Sequence, residues 1–137
     1  MALLTAQMLK TRCKRGDGSY AILDGATATT GAPITSAAGT VPPTNEAYFR
    51  LFGHRFANIM LKTSAGTATV KLFYANEPAD GESWSWYQDE DPGSFALAAV
   101  NREMRTEPRG YDWAYLQIAA IAGGATVTAT AHVATEE

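Results

Sequence analysis

Tyr111-Asp112-Trp113-Ala114-Tyr115-Leu116-Gln117-Ile118-Ala119-Ala120-Ile121-Ala122-Gly123-Gly124-Ala125-Thr126-Val127-Thr128-Ala129-Thr130-Ala131-His132-Val133 is the stretch whose pattern decides the fold. With Gly123-Gly124 as a two-residue loop, Ala120 faces Val127, Ile118 faces Ala129, Leu116 faces Ala131 and Ala114 faces Val133. Each of these pairs is apolar on both sides. The intervening pairs are Ile121 with Thr126, Ala119 with Thr128, Gln117 with Thr130 and Tyr115 with His132, a mostly polar set. Side chains alternate faces along a strand, so this register gives one core face and one outer face. Gly-Gly suits a tight hairpin because both loop positions usually need positive φ. The stretch therefore predicts a β-hairpin, and Tyr115 beside His132 predicts a hydrogen-bonded pair on its polar face.

A second hairpin is expected upstream. Placing Ala65-Gly66 in its loop pairs Leu61 with Val70, Ile59 with Leu72 and Ala57 with Tyr74, again apolar on one face. Further short strands are expected at Tyr20 to Leu23, Tyr48 to Phe52, Phe56 to Lys62, Trp84 to Gln88 and Phe95 to Val100. Gly53-His54, Pro78 with Asp80-Gly81, and Asp89-Glu90-Asp91-Pro92-Gly93 supply the turns between them. Asn101 to Gly110 reads as a charged loop. About eight strands without a helical period give an all-β fold, a two-sheet antiparallel sandwich of jelly-roll type. The immunoglobulin alternative lacks its Cys…Trp…Cys spacing.

Composition bounds the rest. A chain of 137 residues, 46% hydrophobic and 18% charged, makes one domain with a single core and not a disordered chain. A formal charge of -3 argues against a protein whose main task is gripping nucleic acid. Cys13 is the only cysteine, so no internal disulfide forms. The apolar start precedes its basic residues, the wrong order for a signal peptide, and no apolar run is long enough to span a bilayer. Synthesis in a cytoplasm is the expectation.

Residues 1–15 form a possible N-terminal arm or edge strand. Read as a strand, it places Lys10, Arg12 and Lys14 on one face, with Arg15 following. Such a strand either meets an acidic partner or nucleic acid or is a charged edge that prevents pairing with other chains, the last being the favoured reading. Arg15-Gly16-Asp17 is read as turn chemistry. The stretch from Asp24 to Thr44, rich in Ala, Thr, Gly and Pro, is a long loop in which Ala26 to Thr30 or Ile34 to Ala38 can pair as weak strands; it is either an arm that drapes over a neighbouring subunit or a surface loop.

No residues assemble into a catalytic motif. His54, His132 and Cys13 are not at ligand spacing, and Asp89-Glu90-Asp91 lacks the spacing of a calcium loop, so no metal or other cofactor is expected. There is no Gly-x-Ser-x-Gly elbow, and Glu103 and Glu107 read as ordinary loop charges. Trp84 and Trp86 carry the distinct binding option. Alternate residues on a strand stand about 7 Å apart on one face, a spacing that two indoles could use to stack on sugars. The favoured reading is that both rings fill the core or a subunit interface, where large aromatics carry much of the energy.

The ending from Tyr115 to Ala131, preceded by Tyr111-Asp112-Trp113, resembles the last hairpin of small jelly-roll cement or decoration proteins on tailed bacteriophage heads. The likeness covers the last quarter of the chain in detail and the remainder in size and Ala/Thr/Gly-rich character. It implies a structural virion protein, not an enzyme, sitting on the capsid exterior as a dimer or trimer over joints between major capsid subunits. Lys10, Arg12, Lys14 and Arg15 are then capsid-contact candidates. Trp84, Trp86, Tyr115 and His132 are candidates for self-association or a binding face. The rival expectation is a carbohydrate-binding or adhesion module on a virion surface or tail.

Overall fold

The computed structural model describes residues 18–36, 42, 47–51, 56–79, 81–89, 94–98, 101–106 and 111–134. They form nine strands: β1 Gly18–Ala26, β2 Tyr48–Arg50, β3 Phe56–Ser64, β4 Thr67–Ala75, β5 Tyr87–Gln88, β6 Phe95–Ala98, β7 Asn101–Thr106, β8 Trp113–Ala122 and β9 Thr126–Ala134. One sheet has the order β1-β9-β3-β7; the other runs β2-β8-β4-β5, with β6 also on β4. All pairings are antiparallel. The strands β5 and β6 meet β4 at Phe73–Tyr74 and Thr67–Val70, so they share its outer edge end to end. Eight strand positions in two sheets, with the chain crossing between sheets at most connections, make the expected jelly roll.

The two expected hairpins are not there. Strand β8 lies in one sheet and β9 in the other, and the same holds for β4 and β3. The four strands have exchanged partners. Leu61 lies beside Ala129 and Ile59 beside Ala131, while Leu72 lies beside Leu116 and Val70 beside Ile118. Alternation is blind to this exchange. The residues that would pair laterally in a hairpin occupy the same inward face when the turn carries the chain across the sandwich. Thus Val70, Leu72, Leu116, Ile118, Val127 and Ala129 are all buried, as the alternation requires.

The two turns lie side by side at one end of the sandwich. Ala65, Gly66, Gly123 and Gly124 all have positive φ, from 47° to 74°. Ser64 and Thr126, the last and first residues of their strands, share a side-chain hydrogen bond. A Cβ on Gly123 would lie 2.9 Å from the Gly66 Cα, so the corners interlock only because both residues are glycine.

The charged stretch Asn101 to Gly110 also departs from its expected loop. Its first six residues are β7, on the edge of the four-stranded sheet beside β3, with Met104 buried opposite Ile59. One apolar residue among Arg and Glu left no visible alternation, and charge is common on edge strands. At the other edge, β1 has two breaks in register, and the Gly25 N–H donates to Thr128 Oγ1 at 3.1 Å. Bulges of this kind bend an edge away from further pairing.

Candidate functional site

The two sheets differ in what lies on their outer faces. On the four-stranded sheet, Asn58, Met60, Lys62 and Ser64 of β3 alternate with buried residues and neighbour His132, Thr130, Thr128 and Thr126 of β9. Met60 is 50% exposed and His132 is exposed.

The five-stranded sheet carries a second, aromatic layer instead. Tyr48, Phe73 and Tyr115 are adjacent in register, and Trp113 pairs with Arg50 and Ala75. Tyr48 stacks on Tyr115 at 4.3 Å between ring centroids, and Trp86 meets Tyr48 at 5.6 Å and Tyr115 at 6.3 Å. Trp84 stacks on Trp86 at 5.8 Å and sets its edge to Trp113 at 6.2 Å. The Arg50 guanidinium lies 5.1 Å from the Trp113 ring centroid. Each such contact contributes on the order of 0.5–1.5 kcal/mol beyond simple burial.

Part of the long connection after β1 lies across this layer as a strap. Where β2 stops, Thr30 continues the pairing along β8: its N–H donates to Ile118 O at 3.0 Å and its Oγ1 accepts from Ile118 N at 2.9 Å. Tyr115 Oη donates to Gly31 O at 2.7 Å. Tyr48 Oη accepts from Ile34 N at 2.8 Å, and Trp86 Nε1 donates to Ile34 O at 2.7 Å. Trp84 N donates to Ser36 O at 3.3 Å. The polar ends of three aromatic side chains thereby satisfy backbone groups of a segment without regular structure, which is how such a segment stays ordered on a sheet. Expected as an arm or surface loop, residues 27–36 are tied to their own sheet.

Tyr115→Phe removes the bond to Gly31 and leaves the ring stack. We expect it to cost about 1 kcal/mol of global stability. Amide hydrogen exchange at Thr30 and Ile34 should accelerate by more than at β9 amides, whose protection falls only with the global loss. Unchanged exchange at both amides would mean that the strap does not depend on this bond.

The sequence candidates fall in different places. Trp84 is 3% exposed and Tyr115 is buried, whereas Trp86 is half-buried. Two indoles stacked on one another, one of them buried, do not present a pair of open faces, so the platform, the less favoured of the two readings, is not formed; Trp84 lies in the core and Trp86 packs against it. Its premise fails first: of the stretch Trp84 to Gln88 only Tyr87–Gln88 is strand. The expected pairing of Tyr115 with His132 also fails. Tyr115 neighbours Tyr48 and Phe73 in the five-stranded sheet, and His132 neighbours Ser19 and Asn58 in the other, because the Gly-Gly turn separates the sheets. Lys10, Arg12, Lys14, Arg15, Cys13 and His54 lie outside the described residues, as do Glu90, Asp91 and Glu107.

Sequence reading missed Tyr48, Tyr74, Tyr87 and Tyr111. Tyr87 is 59% exposed, and its ring lies 6.2 Å from that of Tyr111, which stacks on Tyr74 at 5.4 Å. The available signal was Tyr87 itself, a third aromatic residue immediately after Trp84 and Trp86.

No protein-family model matches the chain, and no curated protein matches it in sequence. Among solved structures it is similar to the SPBc2 prophage-derived protein YomS, with a TM-score of 0.55 and 13% identity, over 85% of this chain and 91% of that one. At that identity the likeness is one of fold. The chain shares a β fold with a phage-derived protein.

Proposed function

We propose that this chain is a structural virion protein of a tailed bacteriophage, a cement or decoration protein that binds the outside of the capsid and stabilises joints between major capsid subunits. The observation that carries the reading is the fold shared with a prophage-derived protein over nearly the full length of both chains. The shape suits the task. A sandwich with a continuous core, a self-covered aromatic face and interlocked glycine corners is a rigid body that works through its surface and its ends. Residues 1–15, with Lys10, Arg12, Lys14 and Arg15, carry the capsid contact in this reading, their charge selecting an acidic surface on the major capsid protein. Assembly as a dimer or trimer on a symmetric shell then gives avidity from individually modest contacts.

The test is sedimentation of the full chain with empty shells of the phage that encodes it. The protein should pellet with shells at a fixed, saturable ratio to the major capsid protein, and a variant lacking residues 1–15 should remain in the supernatant. Failure of the full chain to pellet contradicts the cement reading. Full retention of the truncated chain contradicts the assignment of the contact to the N-terminal segment.

A further inference from the structure

We propose that Tyr87 and Tyr111 form a binding surface for neutral saccharides at the outer edge of the five-stranded sheet. Tyr87 and Met60 are the two large apolar side chains that stand exposed among the described residues, and only Tyr87 has an aromatic neighbour beside it. The Tyr87 and Tyr111 rings lie 6.2 Å apart with 32° between their planes, a shallow angle open on the Tyr87 side.

The base of this pair is fixed. Tyr111 stacks nearly parallel on Tyr74, at 5.4 Å and 9°. Tyr74 is buried and donates its hydroxyl proton to Asp89 Oδ2 at 2.9 Å, and the Asp89 N–H donates to Leu72 O at 2.8 Å. Asp112, next to Tyr111, is held by its N–H on Asn76 Oδ1 at 3.1 Å. By contrast, no hydrogen bond from the Tyr87 or Tyr111 hydroxyl forms among the described residues. A Tyr111 ring fixed from below by Tyr74 loses little conformational freedom when something settles on the pair.

The surroundings select the ligand class. Asp89 and Asn76 are tied to the base of the pair through the Tyr74 hydroxyl and the Asp112 N–H, and Asn76 and Glu77 are exposed at the same end of β4. A pyranose presents a C–H face suited to an aromatic ring and a rim of hydroxyls that donate to carboxylate and amide oxygens. A protein partner would bury about 800 Å² on this side around a broad apolar centre, and among the described residues this small polar-rimmed pair offers no such area. The carboxylates disfavour an anionic polymer, which leaves neutral sugars. The proposal is independent of the capsid reading and uses neither Trp84 nor Trp86 as the platform.

The experiment is a titration of isotope-labelled full chain with cellohexaose, maltohexaose, mannohexaose and chitohexaose, with hexagalacturonate as the charged control, followed by amide resonances. At least one neutral hexaose should shift the amides of residues 87–89 and 111–112. Tyr87→Ala should weaken that binding about tenfold or more while the remaining amides keep their positions; Tyr87→Phe should retain most of it. The Tyr87→Ala chain should still pellet with shells. No response to any neutral hexaose, binding of hexagalacturonate alone, or equal binding by Tyr87→Ala would each overturn the proposal. Loss of shell pelleting by Tyr87→Ala without any sugar response would assign the pair to a protein contact and overturn it equally.

Discussion

Gly66→Ala is expected to destabilise the fold severely, with a loss of at least about 3–4 kcal/mol in unfolding free energy. Gly66 has φ near 60°, where an L side chain is strained, but the larger penalty is steric. A Cβ there would run into the Ala122 carbonyl oxygen and lie 2.8 Å from the carbonyl carbon and oxygen of Gly123. All of these are backbone atoms of the neighbouring corner. They cannot rotate away as a side-chain tip would, so relief requires the two corners to separate and the β4–β8 and β3–β9 ladders to loosen where they end. Gly124→Ala is the matched control. It has a similar φ, near 74°, and open space around its missing Cβ, so it should cost only about 1–2 kcal/mol. Urea denaturation of both variants measures the contrast. Equal losses would mean that the corners do not interlock.

The second large effect belongs to Trp84. Trp84→Ala should lower stability by about 3–5 kcal/mol, as for other buried aromatic truncations, and lower the melting midpoint by about 10–20 °C in a domain of this size. The cost arises in the aromatic part of the core. The ring is 3% exposed, stacked on Trp86 and edge-on to Trp113, so its loss opens a cavity in the aromatic layer on which the strap rests. Exchange at Ile34 and Thr30 should rise together with the loss of stability, since Trp86 holds Ile34 O and leans on Trp84. Sedimentation velocity on the same variant separates packing from association. A changed oligomer mass with unchanged melting would place Trp84 at a subunit interface instead.

What the sequence showed and what it hid have one physical source. Alternation at Val127, Ala129, Ala131 and Val133, and at Val70, Leu72, Leu116 and Ile118, identified the inward faces, and each of these residues is buried. Period-2 patterning reports the side of a strand and nothing about its lateral neighbour, so both two-residue turns read as hairpins although both cross the sandwich. The deciding information, Gly66 against Gly123, is a contact between residues far apart in the chain, and no local pattern contains it. The same limit hid the aromatic layer. Tyr48, Trp86, Tyr115 and Ile34 meet through the strap, and although Ala26 to Thr30 reads as a weak strand, Ala/Thr-rich residues with no period of their own do not show which sheet they dock on. Strand β7 was hidden differently, because Arg102, Glu103 and Arg105 leave Met104 as its single apolar marker. Tyr115 and His132 were separated by the same misplaced turn, which moved a supposed pair onto opposite sheets.

The exchange of strand partners places the aromatic layer, the strap and the exposed tyrosine pair, and it can be read directly from backbone proton contacts. Paired strands lie about 4.8 Å apart and stacked sheets about 10 Å apart, so interstrand NOEs between backbone protons distinguish the two arrangements. The account predicts such NOEs between Met60 and Thr130 and between Leu72 and Leu116, which are register partners. Backbone NOEs joining Leu61 to Val70 and Leu116 to Ala131 would contradict it, because they would restore the two hairpins and dissolve the sandwich described here.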